Sequence, residues 1–516
     1  MTSESSVVKP TQAHNTTKKT ITDHLKTYGV LWPCILGLTT GRSGLIVASY
    51  GSYNQTDEGV FTDGSMLVTL VILGIFLFLL VLKNGYLTKL RVNRLMRACI
   101  IAEGATLFML AAMNFAGYYN DGLRFILSIL ATLASSGAIF YWLRRARGST
   151  TSTAAVFVFS ALFLSEIEIY VCSLFSGNVS NVCAGLLVLL QFPCMIWARR
   201  QPQPFTIKSP TQDNDYFGFA KTMLSSKLFL SVTALGIGFL ALVIGLLRGY
   251  PAGWSIAFTP PTRLAYGILT MALCAGVVVA MLKGKHNTMT VGIWVLMQAL
   301  ACAALILYAA LPNSLEYGAV FTTTLNALMV GFTWYIVIAF MSHGWRCPYY
   351  YAIAGWIVWL GARAIARMTL AAFYPIFMND QLMGAIITGL LVVSAQVVFV
   401  QFINIARQGQ ENAETAATQK RSPLQKLMGL DGNENLAEVR QVSMQHNAEE
   451  MGKQFLLSER EIEVLTLYAL GFTQKRVADE LYITAGTAHA HIKRIYSKTG
   501  LHSRQEIIDY LQQYTS

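Results

Sequence analysis

Apolar residues run along most of this chain in blocks of about twenty, the length needed to cross the hydrocarbon core of a bilayer as a helix. Twelve such stretches lie near 28–50, 66–83, 98–117, 123–143, 153–175, 178–198, 228–247, 264–282, 290–311, 317–342, 349–373 and 382–405. The first is the least apolar, because Thr-Thr-Gly-Arg-Ser interrupts it. The pattern changes after residue 405. Residues 406–455 are rich in Gln, Asn, Ala and Glu, carry Pro423, and hold no sustained period apart from a short amphipathic stretch near 434–445. From 456 onward apolar residues return at helical spacing in four short runs.

The expected fold is all-α. A helical membrane bundle of about twelve spans (28–405) follows a polar N-terminal tail (1–27), and a flexible linker (406–455) leads to a four-helix domain (456–516). The first apolar segment reads as a retained span rather than a cleaved leader, since a polar stretch precedes it. A flexible linker of this length has a root-mean-square reach of about 40 Å, at roughly 5–6 Å × √n.

Composition supports the membrane reading: 54% of the residues are apolar and 13% charged, against about 25% charged in soluble domains. The net charge of +12 is unevenly placed. Residues 1–405 carry +13 and residues 406–516 carry −1, so the positive excess belongs to the membrane part. There it acts on topology and on anionic lipid. Connections that fall on one side of a twelve-span arrangement hold sixteen Lys/Arg, and those on the other side hold three. The positive-inside rule then puts both termini in the cytoplasm.

The eight cysteines lie between Cys34 and Cys347 without metal-ligand spacing, so they read as small apolar packing residues. Cys172 and Cys183 fall near the same end of two successive spans and leave a redox pair open as an alternative. No cofactor or metal is expected. No phosphate loop, receiver-type aspartate cluster or nucleophile triad is visible, and the chain does not read as an enzyme.

The spans contain Arg42, Glu103, Glu166, Glu168, Arg363 and Arg367. Charges inside a bilayer are costly and face protein or a water-filled cavity. Arg363 and Arg367 share a helix face, while Glu166 and Glu168 point about 200° apart. One reading makes Arg42, Glu166, Glu168, Arg363 and Arg367 a polar ligand site, whose arginines hold an anionic group of a small molecule and whose Glu166 or Glu168 couples to a proton. The other makes them structural ion pairs between helices, for instance Arg42 with a glutamate of the fifth span. Trp334, Tyr335, Trp356 and Trp359 are candidates to line a cavity or to pack.

The longest internal connection, 199–227, divides the spans six and six (28–198 and 228–405). The span count, loop lengths and orientation resemble the major facilitator superfamily. In the second loop the stretch from Gly85 to Arg94 has Lys89 where that family's signature has an acidic residue, and Val92 where it has glycine. The signature belongs to the cytoplasmic gate of working transporters, so this departure favours sensing. A secondary transporter with a regulatory appendage is the alternative.

In the C-terminal domain Ser458–Glu461 and Ser503–Glu506 read as capping boxes, Thr473 and Thr484 as helix starts, and Gly471 and Gly500 as stops. The short 473–481 helix, a tight turn and a longer helix form a helix-turn-helix. The run Leu457-Ser-Glu-Arg-Glu-Ile-Glu-Val-Leu465, Ala469 with Gly471, Val477-Ala478 with Leu481, Thr487-Ala-His-Ala-His491 and Lys498 to Glu506 resemble the LuxR-type domain of bacterial transcription regulators. His489 stands where that family has lysine, and Ala488 where it has valine.

The resemblance implies that His489, Ala490 and Lys493 enter the major groove of double-stranded DNA, with Thr487 also among the DNA-binding residues. It also implies that the domains pair when bound and that RNA polymerase is a further candidate partner. Lys493 can donate to guanine, and the Ala490 methyl can touch thymine. Arg494, Lys498, Lys475 and Arg476 suit phosphate contacts.

Overall fold

The computed structural model describes residues 31–50, 58–83, 89–397 and 436–512, apart from 201–226 and positions 119, 148, 150, 255, 286–287, 344–346, 378 and 482. The N-terminal tail, most of the loop 199–227, residues 406–435 of the expected linker and the ends of the first and last spans lie outside the described residues. Within them the chain is helical, with no strand.

Every predicted span lies on helix. The first six are α1 (Trp32–Tyr50), α2 (Glu58–Lys83), α3 (Lys89–Phe115), α4 (Asp121–Arg145), α5 (Thr151–Ser173), and the pair α6 (Gly177–Leu189) and α7 (Gln191–Arg200). The other six are α8 (Lys227–Arg248), α9 (Pro260–Leu282), α10 (Ile293–Ala310), α11 (Glu316–His343), α12 (Pro348–Trp356) continuing into α13 (Ala362–Phe377), and α14 (Asp380–Val397). Among the described residues ten helices are long and apolar enough to cross a membrane. α1 carries the polar interruption, and the described apolar part of α8, Thr233–Arg248, is shorter.

Three spans are irregular: the ninth opens in a π-helical turn, Thr288–Gly292, ahead of α10, and the sixth and eleventh are interrupted internally. The sixth is split at Leu190, where Pro193 removes an amide and crowds the carbonyl four residues back. The eleventh passes through a π-helical turn, Ile357–Gly361, between α12 and α13. Such wide turns are rare and concentrate at functional sites.

α5 packs against α9, and α2 against α13. In span numbers these are 5 with 8 and 2 with 11, the pairing a pseudo-two-fold between six-span halves requires, since exchanging the halves maps one pair onto the other. Beyond its first turn, where Tyr317 is exposed, α11 is interior: every residue of its most apolar stretch is buried by other helices.

The C-terminal domain has its own core. α16 (Glu459–Ala469), α17 (Gln474–Glu480), α18 (Ala485–Thr499) and α19 (Arg504–Gln512) bury Val464, Leu465, Val477, Ala488, Ile492, Ile495 and Leu511. The expected linker differs from the observed chain. Residues 436–455 form a twenty-residue helix, α15 (Leu436–Phe455), which joins this core through Met444, Ala448 and Met451. These fall at i, i+4 and i+7 on one face. Asn447 donates to the Leu511 carbonyl (3.0 Å), Gln454 donates to the Tyr510 hydroxyl (2.7 Å), and Phe455 meets Tyr510 edge to face. Gly452 allows the close approach: a β-carbon there would lie 2.4 Å from Ile462.

Candidate nucleic-acid interface

The reading helix is fixed by its caps. Thr484 precedes α18 in extended conformation, and its hydroxyl accepts from the Thr487 amide at 3.1 Å. Gly500 ends the helix at φ 74°, in the left-handed region that favours glycine. Thr473 caps α17 in the same way, accepting from the Arg476 amide. α16 carries a full capping box: Ser458 accepts from the Glu461 amide, and Glu461 accepts from the Ser458 amide at 2.8 Å. The second expected box closes differently. Ser503 accepts from the Glu506 amide, but the Glu506 carboxylate takes the His502 amide instead of that of Ser503.

Ala488, Ile492 and Ile495 turn inward and are buried, which fixes the rotation of α18. Thr487, His489, Ala490, Lys493 and Arg494 are left exposed, as are Lys475 and Arg476 on α17. The Arg476 guanidinium lies 4.2 Å from the centre of the Phe472 ring, a cation–π contact that limits its freedom. Lys498 departs from the phosphate-binding expectation. Its ammonium donates to the Glu461 carboxylate and to the Leu456 carbonyl, so it ties α18 to the start of α16. The Glu461 carboxyl responds to both effects. Burial pushes it up, but the Lys498 ammonium and the Ser458 hydrogen bonds outweigh that and hold it below its ordinary value.

In the membrane body the charges expected at a ligand site are brought into two ion-pair clusters. Arg42 on α1 meets Glu166 on α5 at 2.7 Å and also donates to Ser165. Glu166 accepts from the Tyr266 hydroxyl (2.8 Å), and Arg263 of α9 stands 3.9 Å away. Glu168 points elsewhere and accepts from Ser43 at 2.6 Å. The second cluster is built on Asp63 of α2, which lies 3.4 Å from Arg363 and 3.2 Å from Arg367. Arg363 also donates to Asn326, and Arg367 to the Gly253 carbonyl. Arg42, Glu166, Arg363 and Arg367 thus each stand in an ion pair between helices. Glu103 is fully buried and accepts from Ser135 at 2.7 Å. Cys172 and Cys183 are free thiols.

Asp63 and Arg263 escaped the sequence reading. Each sits just before the apolar stretch predicted at 66–83 or 264–282, where it counts as a loop charge. The helices begin earlier, at Glu58 and Pro260, and carry both side chains into the protein. Each cluster lies on a seam between the halves. Glu166–Arg263 joins α5 to α9, and Asp63–Arg363 joins α2 to α13.

The capped short helix, tight turn and longer helix with one exposed basic face define a helix-turn-helix domain. Residues 456–511 match the family described as bacterial regulatory proteins, luxR family (GerE). The C-terminal part of the chain is thus a LuxR-type DNA-binding domain of the kind found in transcription regulators. It is similar to the fimbriae Z protein of Escherichia coli (strain K12), 42% identical over 59 residues, which are 11% of this chain and 28% of that protein. It is also similar to the oxygen regulatory protein NreC of Staphylococcus aureus (strain JH9), 40% identical over 55 residues, 11% of this chain and 25% of that protein. The chain spans only about a quarter of the length of these curated relatives, and the matches fall on the DNA-binding domain.

Proposed function

We propose that this chain is a membrane-anchored one-component transcription regulator. The body senses a small molecule or the state of the membrane, and the C-terminal domain binds chosen DNA sequences in response. The observation that carries this reading is the union, in one chain, of a LuxR-type domain with its reading positions exposed and a body containing ten helices fit to cross a membrane. The charge asymmetry of the connections supports both termini in the cytoplasm, and the match to a family of bacterial regulatory proteins supports a bacterial cytoplasmic membrane.

Thr487, His489, Ala490 and Lys493 enter the major groove, with Arg494, Lys475 and Arg476 on the flanking phosphates. Two copies pair on DNA, and RNA polymerase is the onward partner. The body belongs to the facilitator-like architecture, supported by the pairing of spans 5 with 8 and 2 with 11.

Selection from a random duplex pool with residues 436–516, a unit with its own core, tests the DNA half. The expected result is an enriched motif with two half-sites that is lost in His489→Ala and Lys493→Ala. Equal recovery of all sequences would refute the reading.

A further inference from the structure

Three indole N–H groups are buried in the middle of the membrane body without a hydrogen-bond acceptor among the described residues: those of Trp334, Trp356 and Trp359. The Thr333 hydroxyl is in the same condition. These groups are not scattered. Trp334 stacks on Trp356 with ring centroids 6.5 Å apart, and Trp356 meets Trp359 at 5.5 Å, nearly edge-on. The Thr333 methyl reaches toward Gly355, the residue before Trp356. A buried donor left unpaired costs free energy, and one indole alone would be tolerable. Here the three rings are linked through Trp356, and Thr333 directly precedes Trp334, so the unpaired donors belong to one packed cluster.

Two further observations surround the cluster. The rare π-helical turn Ile357–Gly361 runs directly through it and carries Trp359. One turn on, the Arg363 guanidinium lies 5.5 Å from the centre of the Trp359 ring. Counting 1.5 Å per helical residue from Pro348, Trp356 and Trp359 are about 12–17 Å from the start of α12, near the middle of a hydrocarbon core about 30 Å thick.

We propose that this cluster, between α11 and the α12–α13 span, is the ligand site of the body, and that it takes a small aromatic carboxylate. The chemistry selects that class. Indole N–H groups only donate, so their partner must be an acceptor. The parallel stacking of Trp334 on Trp356 shows that planar rings pack in this cluster, which favours a planar ring in the ligand. The neighbouring guanidinium favours an anion over a neutral or cationic group. The Trp359 turn also leads straight into Arg363, whose bond to Asp63 spans the α2–α13 seam, so an anion arriving here competes with Asp63 for Arg363. The site thereby rests on the sensing reading and supplies its coupling point.

The test titrates the full chain in nanodiscs with benzoate, salicylate and indole-3-acetate by calorimetry. Benzamide and trimethylphenylammonium serve as neutral and cationic counterparts. At least one carboxylate is expected to bind saturably, at least ten-fold tighter than both counterparts. Trp356→Phe and Trp359→Phe, which keep a ring and lose the N–H, are expected to weaken it ten-fold or more. Thr333→Val, which keeps the volume and loses the hydroxyl, gives an independent reading should a tryptophan variant fail to fold. Absence of carboxylate binding, equal binding of benzamide, preference for the cation, or indifference to all folded variants would each overturn the site. Ligand failure with DNA selection intact overturns this site alone. Loss of DNA selection with ligand binding intact overturns the regulator reading alone.

Discussion

Asp63 and Arg363 are 300 positions apart in the chain and 3.4 Å apart in space, both buried. The carboxylate also takes Arg367, so one acidic group of the first half holds two basic groups of the second. Removing one partner of a buried ion pair strands the other in a poor dielectric, at a cost of about 3–5 kcal/mol. Asp63→Asn is expected to lower the melting temperature of the detergent-solubilised full chain. The double change with Arg367→Gln should lose less than the sum of the two singles, because the groups share one interaction. Additive losses would mean the contact carries no coupling.

On the opposite seam two glutamates two positions apart in sequence, and so about 200° apart on their helix, take different partners. Glu166 accepts from Arg42 and Tyr266, whereas Glu168 accepts from Ser43. Glu166→Gln is therefore expected to destabilise the body by about 2 kcal/mol or more over Glu168→Gln, since only the former leaves a buried guanidinium beside a neutral amide. Comparable losses in thermal melts would contradict the assignment.

The two lysines of α18 divide their work. Lys493 is exposed on the reading face, while Lys498 is tied to Glu461 and Leu456. Lys493→Ala is expected to weaken binding to the selected motif by about 1–3 kcal/mol with little change in stability. Lys498→Ala should lower the denaturation midpoint of residues 436–516 instead. Affinity and urea titrations on both variants distinguish these roles.

The same tie predicts a pH dependence. The folded Glu461 carboxyl sits below its unfolded value, so its contribution is present above the unfolded pKa of about 4.3 and is lost as the pH falls through the lower folded value. The stability gap between wild type and Glu461→Gln, measured on 436–516 by urea titration, should be constant near neutrality and close below about pH 4. A gap unchanged by acid would show that Glu461 holds no depressed carboxylate.

α15 belongs to the DNA-binding unit. Deleting 436–455 uncovers the surface that Met444 and Met451 bury, and is expected to cost at least about 3 kcal/mol at about 1.5–3 kcal/mol for each buried methionine. A urea midpoint for 456–516 equal to that of 436–516 would make the helix an independent linker.

Much of this was legible in the sequence, and the exceptions have physical causes. A bilayer demands about twenty apolar residues wherever the chain crosses it, so the described parts of the twelve stretches fall on helices, ten of them long and apolar enough to cross. Caps and stops are local too, which is why Thr473 marks the start of α17, and Thr484 and Gly500 the ends of the reading helix, as expected. Asp63 and Arg263 were missed because an apolar window is bounded by its charges. A charge that enters the protein on the first turns of a helix looks like one left in the loop. Their partners are far away in sequence and leave no local trace. α15 was largely hidden because its buried face is made of Met444, Ala448 and Met451 among Gln, His, Asn and Glu, a weak apolar signal. The tie of Lys498 was equally invisible: a lysine late on a reading helix looks the same whether it faces a phosphate or a carboxylate 37 positions back.

The central claim is that a DNA reader works from the membrane. Cross-linking in cells, followed by sequencing of the DNA recovered with the membrane fraction, tests it most directly. The full-length protein is expected to enrich discrete loci sharing one motif, and Lys493→Ala to lose them. Membrane-fraction DNA with no enriched locus, or the same loci with Lys493→Ala, would contradict the account.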